Sequence, residues 1–425
     1  MIFITTFAVM KVENPIKILL FVMLGMMLTA FEADAKVRGA VAMTRLGEQA
    51  EVSLLTCSPS DEDVYTLYGH TAIRVRDPEM QLDVVFNYGI FDFSKPNFIY
   101  RFAKGETDYM LRACDFNDFF VEYAMRGSEV CEQVLNLHAD EKDALLQALI
   151  LNERPENRVY RYSFFFDNCA TRPAIMIENN IDGDVTCLLK PDNKTFRDVI
   201  NCCTREHPWV TFGCDLVLGL PTDRVMSRRE SFFLPEKLRE EFANAVIIRR
   251  NKTSYAGFNA DASEPLVAET GILSEGTGRS ATDCSDLTPS PLTSAILLFL
   301  IMSIVTVMEW RRKTYFPVVD ALLFIPAGLA GCILFFLSFI SVHQSIYPNI
   351  SLLWLHPLHL VGAGFFVVKK LKKAAICYHF INFAAILVMI TAWFFVPQHF
   401  NIAFAPLIAC LALRSATRLK RKDKI

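Results

Sequence analysis

The chain has 425 residues, 52% of them hydrophobic, with a mean hydropathy of +0.28 and a formal net charge of −3. That apolar excess argues against a single soluble domain, and the charge balance argues against a basic nucleic-acid reader. The excess is concentrated in residues 293 to 413, whereas residues 36 to 292 have an ordinary globular composition and enough length for a core of their own.

Residues 1 to 35 read as an address: Lys11 and Lys17 precede an apolar run, and Ala33-Asp34-Ala35 supplies a small-x-small cleavage pattern. Export with a mature start near Lys36 is expected, with an uncleaved anchor as the alternative. Nine of the 12 cysteines fall between residues 36 and 292. With Cys169 set aside as a free thiol, eight remain, an even number compatible with disulfides in an oxidising compartment. No paired-cysteine or paired-histidine spacing points to zinc, so no metal and no cofactor are expected.

Residues 51 to 56 alternate as a short strand does, and a polar turn follows. Tyr68-Gly69-His70-Thr71-Ala72-Ile73-Arg74 then places a histidine at the mouth of a strand, after a glycine that permits close approach. Residues 83 to 88 look like its hairpin partner, which brings Asn87 or Tyr88 near His70 depending on register. The aromatics between residues 89 and 110 read first as core, and alternatively as an acyl-chain slot or a bilayer contact. Phe116, Phe119, Phe120 and Tyr123 make the stripe of an amphipathic helix. A further strand over 129 to 137 and a helix from Asp140 to near Pro155 follow.

The aromatic run 160 to 166 reads as a buried strand that stops at Asp167-Asn168-Cys169-Ala170-Thr171-Arg172-Pro173. A cysteine at a helix start meets free backbone N–H groups that favour its thiolate, although Pro173 moves the regular helix towards Thr171 and weakens that effect. Helix 235 to 245 comes next, and residues 256 to 292, rich in Gly, Ser, Thr, Asp and Glu, read as a linker.

Five apolar spans are expected at about 293 to 309, 316 to 341, 350 to 368, 374 to 396 and 400 to 413, with residues 414 to 425 as a basic cytoplasmic tail. Arg311-Arg312-Lys313, the lysines at 369 to 373 and that tail fall on one side of such a bundle, and the intervening connections carry no Lys or Arg. This charge pattern predicts the N-terminal domain outside the cytoplasm. His356 and His359, within the third span, are read first as helix packing and alternatively as contacts with a lipid headgroup or the N-terminal domain.

A histidine-bearing strand followed by a strand-end cysteine resembles circularly permuted papain-like enzymes. The motifs Leu54-Leu55-Thr56-Cys57, Tyr68 to Arg74, Val85-Phe86-Asn87-Tyr88-Gly89, Pro155-Glu156-Asn157, Asp167 to Arg172 and Leu352-Leu353-Trp354-Leu355-His356-Pro357 resemble the Lnb family of bacterial lipoprotein N-acyltransferases. His356 departs from the asparagine expected there. The resemblance implies an α+β, permuted papain-like periplasmic domain over residues 36 to 255 and an all-α five-helix transmembrane domain in the bacterial inner membrane. It implies Cys169 as nucleophile with His70 as its base, a phospholipid acyl donor, a Cys thioester, and an apolipoprotein acceptor. Asn87 or Tyr88 would orient His70, Asn168 or backbone N–H groups would hold an oxyanion, and Tyr68, Arg74 and Arg172 become candidates for substrate binding. A membrane-tethered cysteine peptidase or amidase acting on cell-wall peptide is the alternative, and a scaffold with Cys169 in a disulfide a third.

Overall fold

The structure, a computed structural model, describes residues 45–91, 96–190, 192–249, 263–277 and 288–420. The expected leader and Cys284 lie outside the described residues.

Alternating apolar residues give strands β1 (Glu51–Cys57), β2 (His70–Asp77), β3 (Leu82–Ile90), β4 (Asp108–Asp115), β5 (Val130–Leu135) and β6 (Val159–Arg161). Strands β7 (Asp184–Cys187), β8 (Ala245–Ile248) and β9 (Ser263–Pro265) form a separate small sheet, and β10 (Val267–Ser274) returns to the edge of the first. The large sheet has seven strands in the order β10-β5-β1-β2-β3-β4-β6, and its pairings are antiparallel.

The period of two sorts side chains onto two faces, each covered by helices. Ile73 and Val75 of β2 and Val84 and Phe86 of β3 meet Leu145 and Leu149 of helix α3 (Ala139–Glu153) and Ala174 and Ile177 of helix α4 (Thr171–Asn179). On the other face, Ala72 and Val85 meet Phe119 and Tyr123 of helix α2 (Phe116–Met125). Helix α1 (Phe98–Lys104) stands outside both layers and buries none of its residues.

Three sequence expectations change. The aromatic run is strand only over β6; Ser163 then bridges Asp167 across a tight turn, and Phe165 packs edge-on against Phe196 and Phe233 at 4.9 and 5.0 Å. Aromatic packing to another segment overrides strand propensity here. Within the expected linker, β9 and β10 are strands, and β10 pairs with β5 despite its polar composition. Disulfides are absent among the described residues: Cys57, Cys114, Cys131, Cys187, Cys202 and Cys214 carry none. Cys57 and Cys131 sit on adjacent strands one register step apart, so their side chains leave opposite faces of the sheet.

The C-terminal part is helical: α8 (Pro291–Arg312), α9 (Pro317–Phe339), α10 (Leu358–Val367), α11 (Lys372–Phe395) and α12 (Phe404–Lys420), after α5 (Phe196–Thr204), α6 (Pro208–Val217) and α7 (Pro235–Ala243). Helices α8, α9 and α11 are long and apolar enough to cross a bilayer. The expected third span is shorter: a 3-10 turn at Ile350–Leu353 and Pro357, which cannot donate, break it before α10. The expected basic tail is helical to Lys420, and its arginines turn inward. Arg414 donates to Asp320 at 2.5 Å and to Glu309 at 2.9 Å, and Arg418 to Asp320 at 2.8 Å, all within the bundle. Four charges this deep are tolerated because each faces its opposite.

The N-terminal domain docks on one end of this bundle. Gly219 N–H donates to Ser345 O at 2.9 Å, Leu220 N–H to Pro348 O at 2.8 Å, Asn349 Nδ2 to Leu216 O at 3.0 Å, and Asn401 Nδ2 to Asp215 Oδ2 at 2.9 Å. A Cβ on Gly219 would stand 2.0 Å from Ile346 O, so only glycine fits the seam. Arg197, 1% exposed, holds the docking segment together: it pairs with Asp223 at 2.7 Å and Asp215 at 3.3 Å and donates to Leu218 O at 2.7 Å. Arg311, Arg312, Lys313 and the lysines at 370, 372 and 373 lie towards the opposite end.

Arg197→Ala leaves Asp215 and Asp223 buried without their cation, and is expected to destabilise the N-terminal domain by about 3–5 kcal/mol. Denaturant unfolding of the full chain in detergent measures this, and proteolysis within residues 215 to 223 should become faster.

Candidate active site

The β2–β3 register decides which residue reaches His70. Ala72 pairs with Asn87, so Asn87 shares the face of Ala72 and His70, while Tyr88 points to the opposite face. Accordingly His70 Nε2 lies 2.6 Å from Asn87 Oδ1, whereas the Tyr88 hydroxyl donates to Asn152 Oδ1 at 2.7 Å within the main core. Asn87 is thus the neighbour of His70, and Tyr88 is not. Since Asn87 Oδ1 accepts, Nε2 carries the proton and the lone pair is on Nδ1. The imidazole also stacks on Tyr123 of α2, with ring centroids 5.4 Å apart and planes 13° apart.

Cys169 comes to the same point from the turn after β6. Gly89 marks the meeting place: a Cβ there would lie 3.3 Å from Cys169 Cβ and 3.9 Å from His70 Cε1. Its φ of +94° also disfavours any side chain. The backbone N–H groups of Thr71, the residue after His70, and of Cys169 itself favour the thiolate form of Cys169.

Burial pushes the Cys169 thiol up to about 11, against the pull of those two N–H groups. Burial also lowers His70 to about 4, a shift that the Asn87 hydrogen bond opposes and nearby Arg126 reinforces. Between those values the thiol keeps its proton and the imidazole is neutral. Burial, the largest influence on both groups, therefore favours a neutral pair over the thiolate expected at a helix start. Asn168, 2% exposed, accepts from the N–H groups of Ala170 and Thr171 at 2.9 Å each, so the first free donors of α4 are spent on its side chain. Its Nδ2 donates to Phe164 O at 2.9 Å and Phe233 O at 2.7 Å. With both amide hydrogens committed, Asn168 is a brace for the turn and has no donor left for an oxyanion.

The three expected substrate-binding side chains are engaged elsewhere. Arg74 pairs with Asp83 at 2.6 Å and Glu132 at 3.1 Å and lies 3.4 Å over the Phe116 ring. Arg172 forks onto Asp167 at 2.6 and 2.8 Å and covers Tyr160 at 3.6 Å. Tyr68 packs edge-on against Phe164 at 4.9 Å, its hydroxyl 3.9 Å from Cys214 Sγ of α6. Sequence reasoning missed three contributors: Gly89 as the floor, Tyr123 as the stacking partner, and Thr71 N–H as the thiol's neighbour. The amphipathic stripe carried Tyr123 and the hairpin motif carried Gly89, but neither signal says what the residue faces. His356 and His359 stay within the helical domain: His359 bonds Tyr378 Oη at 2.6 Å and Trp354 O at 2.9 Å, and His356 stacks on His359 at 3.9 Å.

Two family models match this chain, the Lnb N-terminal periplasmic domain over residues 45–201 and the Lnb transmembrane domain over residues 283–424. The chain belongs to the Lnb family. Membership makes it a membrane protein of the lipoprotein-maturation type, with a periplasmic N-terminal domain ahead of a transmembrane domain. The Lnb periplasmic match includes His70, Asn87, Gly89 and Cys169, whereas α6, α7 and the docking segment fall between the two Lnb matches. No curated protein and no solved structure matches the chain.

Two measurements test the site. Alkylation of Cys169 by iodoacetamide should be slow at about pH 6, rise roughly tenfold per pH unit from there, and level off only near about pH 11; a fast, pH-independent reaction already at about pH 6 would mean an ion-paired thiolate. Asn168→Ala should cost about 1–3 kcal/mol in unfolding experiments, because two helix-start N–H groups and two buried carbonyls lose their partner.

Proposed function

We propose that this protein is a lipoprotein N-acyltransferase whose Cys169 carries the acyl group as a thioester. One observation supports this above the others: in a chain matched by Lnb models in both halves, a cysteine and a histidine far apart in sequence converge over Gly89. The order, with the histidine strand before the cysteine turn, fits a permuted papain-like arrangement.

The neutral pair reacts by general-base catalysis. As Cys169 Sγ attacks an ester carbonyl of a membrane phospholipid, its proton passes to His70 Nδ1 and the C–S bond forms. The C–O bond then breaks, the leaving alkoxide takes the proton from the imidazolium, and a lysophospholipid departs. In the second half, the α-amine of a diacylglyceryl-cysteine apolipoprotein attacks the thioester and gives its proton to His70. The C–S bond breaks, an amide is formed, and the sulfur recovers its proton. Asn87 holds the imidazole so that Nδ1 is the free nitrogen throughout. The N–H groups of Thr71 and Cys169, which favour the thiolate, take the role of holding the oxyanion of both tetrahedral intermediates. The setting is the bacterial inner membrane with the catalytic domain in the periplasm, all five helices belonging to the membrane domain.

The purified full chain, supplied with radiolabelled phospholipid and a diacylated peptide, should form a hydroxylamine-sensitive label on Cys169 and an N-acyl peptide. Cys169→Ala should abolish both, and His70→Ala should lower kcat by about 10²–10⁴-fold. Asn87→Ala should lower kcat with little change in KM. Hydrolysis of a cell-wall peptide without any lipid label would favour the peptidase or amidase reading instead.

A further inference from the structure

Helix α1 presents large apolar side chains outward: Ile99 is 83% exposed, Phe102 54% and Tyr100 53%. None of its residues is buried, so packing within the protein does not account for that face. Its location does. Val342 N–H, just beyond α9, donates to Lys104 O at 2.9 Å, His343 Nε2 lies 3.2 Å from Phe102 O, and the Tyr100 ring is 5.9 Å from that of Phe336. Phe336 is in the last turn of α9, a helix long and apolar enough to cross a bilayer. Helix α1 is therefore tied to the level at which α9 leaves the lipid. Around it Phe339, Ile340 and Val342 are also 54%, 48% and 56% exposed, which continues the lipid-facing surface of α9 onto the N-terminal domain.

A row of aromatic rings leads inward from this patch. Phe102 stacks near Phe98 at 6.1 Å, Phe98 near Phe91 at 6.0 Å, Phe91 against Tyr109 at 5.0 Å and Tyr109 on Tyr162 at 4.0 Å. Tyr109 shares a packed cluster with Cys169, and Tyr162 lies against that cluster. The charges on α1 are answered locally, Arg101 by Asp108 at 2.8 Å and Lys104 by Glu106 at 2.8 Å. What the helix offers a bilayer is hydrocarbon contact, with no uncompensated cation for an anionic headgroup.

We propose that α1 is seated in the acyl region of the periplasmic leaflet and that the row from Phe102 to Tyr162 conducts a lipid acyl chain to Cys169. This deepens the acyl-transfer reading by naming the route of the donor. Its test is designed to fail separately from that reading.

The full chain, in phosphatidylcholine vesicles with and without brominated acyl chains, is compared as wild type, Ile99→Trp, and the double variant Ile99→Ser/Phe102→Ser. The fluorescence added by Ile99→Trp over wild type should be quenched by brominated lipid, equally at low and high salt. The double variant's rate of Cys169 acylation from vesicle phospholipid should fall at least roughly tenfold relative to its rate with water-soluble p-nitrophenyl butyrate. Absence of quenching overturns the membrane seat, and an equal loss with both donors overturns the conducting role. If neither donor labels wild-type Cys169, the acyl-transfer reading fails while the quenching result still decides where α1 sits.

Discussion

The side chain of Asn168 is the constraint on which the site depends. One buried amide accepts from the two N–H groups that open α4 and donates to carbonyls of two separate segments, at Phe164 and Phe233. Out of reach of water, each of those backbone groups would be unsatisfied without it. The chain between Tyr162 and Thr171 therefore turns tightly where extension was expected, and Cys169 is carried to Gly89. Across the gap stands His70, which Asn87 and Tyr123 hold on two sides.

The bundle is fixed at both ends by arginines. On the docked side Arg197 ties Asp215 and Asp223 into a segment whose own polar groups reach Asn401, His399 and the carbonyls near Ser345. On the far side Arg414 and Arg418 clasp Glu309 and Asp320 across α8, α9 and α12. Charges removed from water are costly unless paired, so each set has few alternative arrangements. The result is a fixed seam between the N-terminal domain and the helical bundle.

The sequence by itself determined what is local and periodic. Alternation over residues 51 to 56 and 83 to 88, the stripe through Phe119 and Tyr123, and the helix opening at Asp140 all correspond to elements at those positions. Three of the five expected apolar runs were equally legible as helices long enough to span, because spanning a membrane depends on length and composition. The histidine and the cysteine could be picked out because each stands at the end of an element, next to a glycine or an Asp-Asn turn.

Only the tertiary structure decided which polar groups were already occupied. Asn168, a candidate oxyanion donor in the sequence, and Arg74 and Arg172, candidate substrate ligands, are bonded in space to Phe233, to Glu132, and to Tyr160 or Asp167. Arg414 reads as a solvated tail charge until Asp320 is placed beside it. The choice between Asn87 and Tyr88 required the register of two strands, and the ionisation of Cys169 required the depth of the turn that carries it. The reason is the same each time: hydrogen bonding and desolvation act between residues distant in the chain, and neither leaves a period along it.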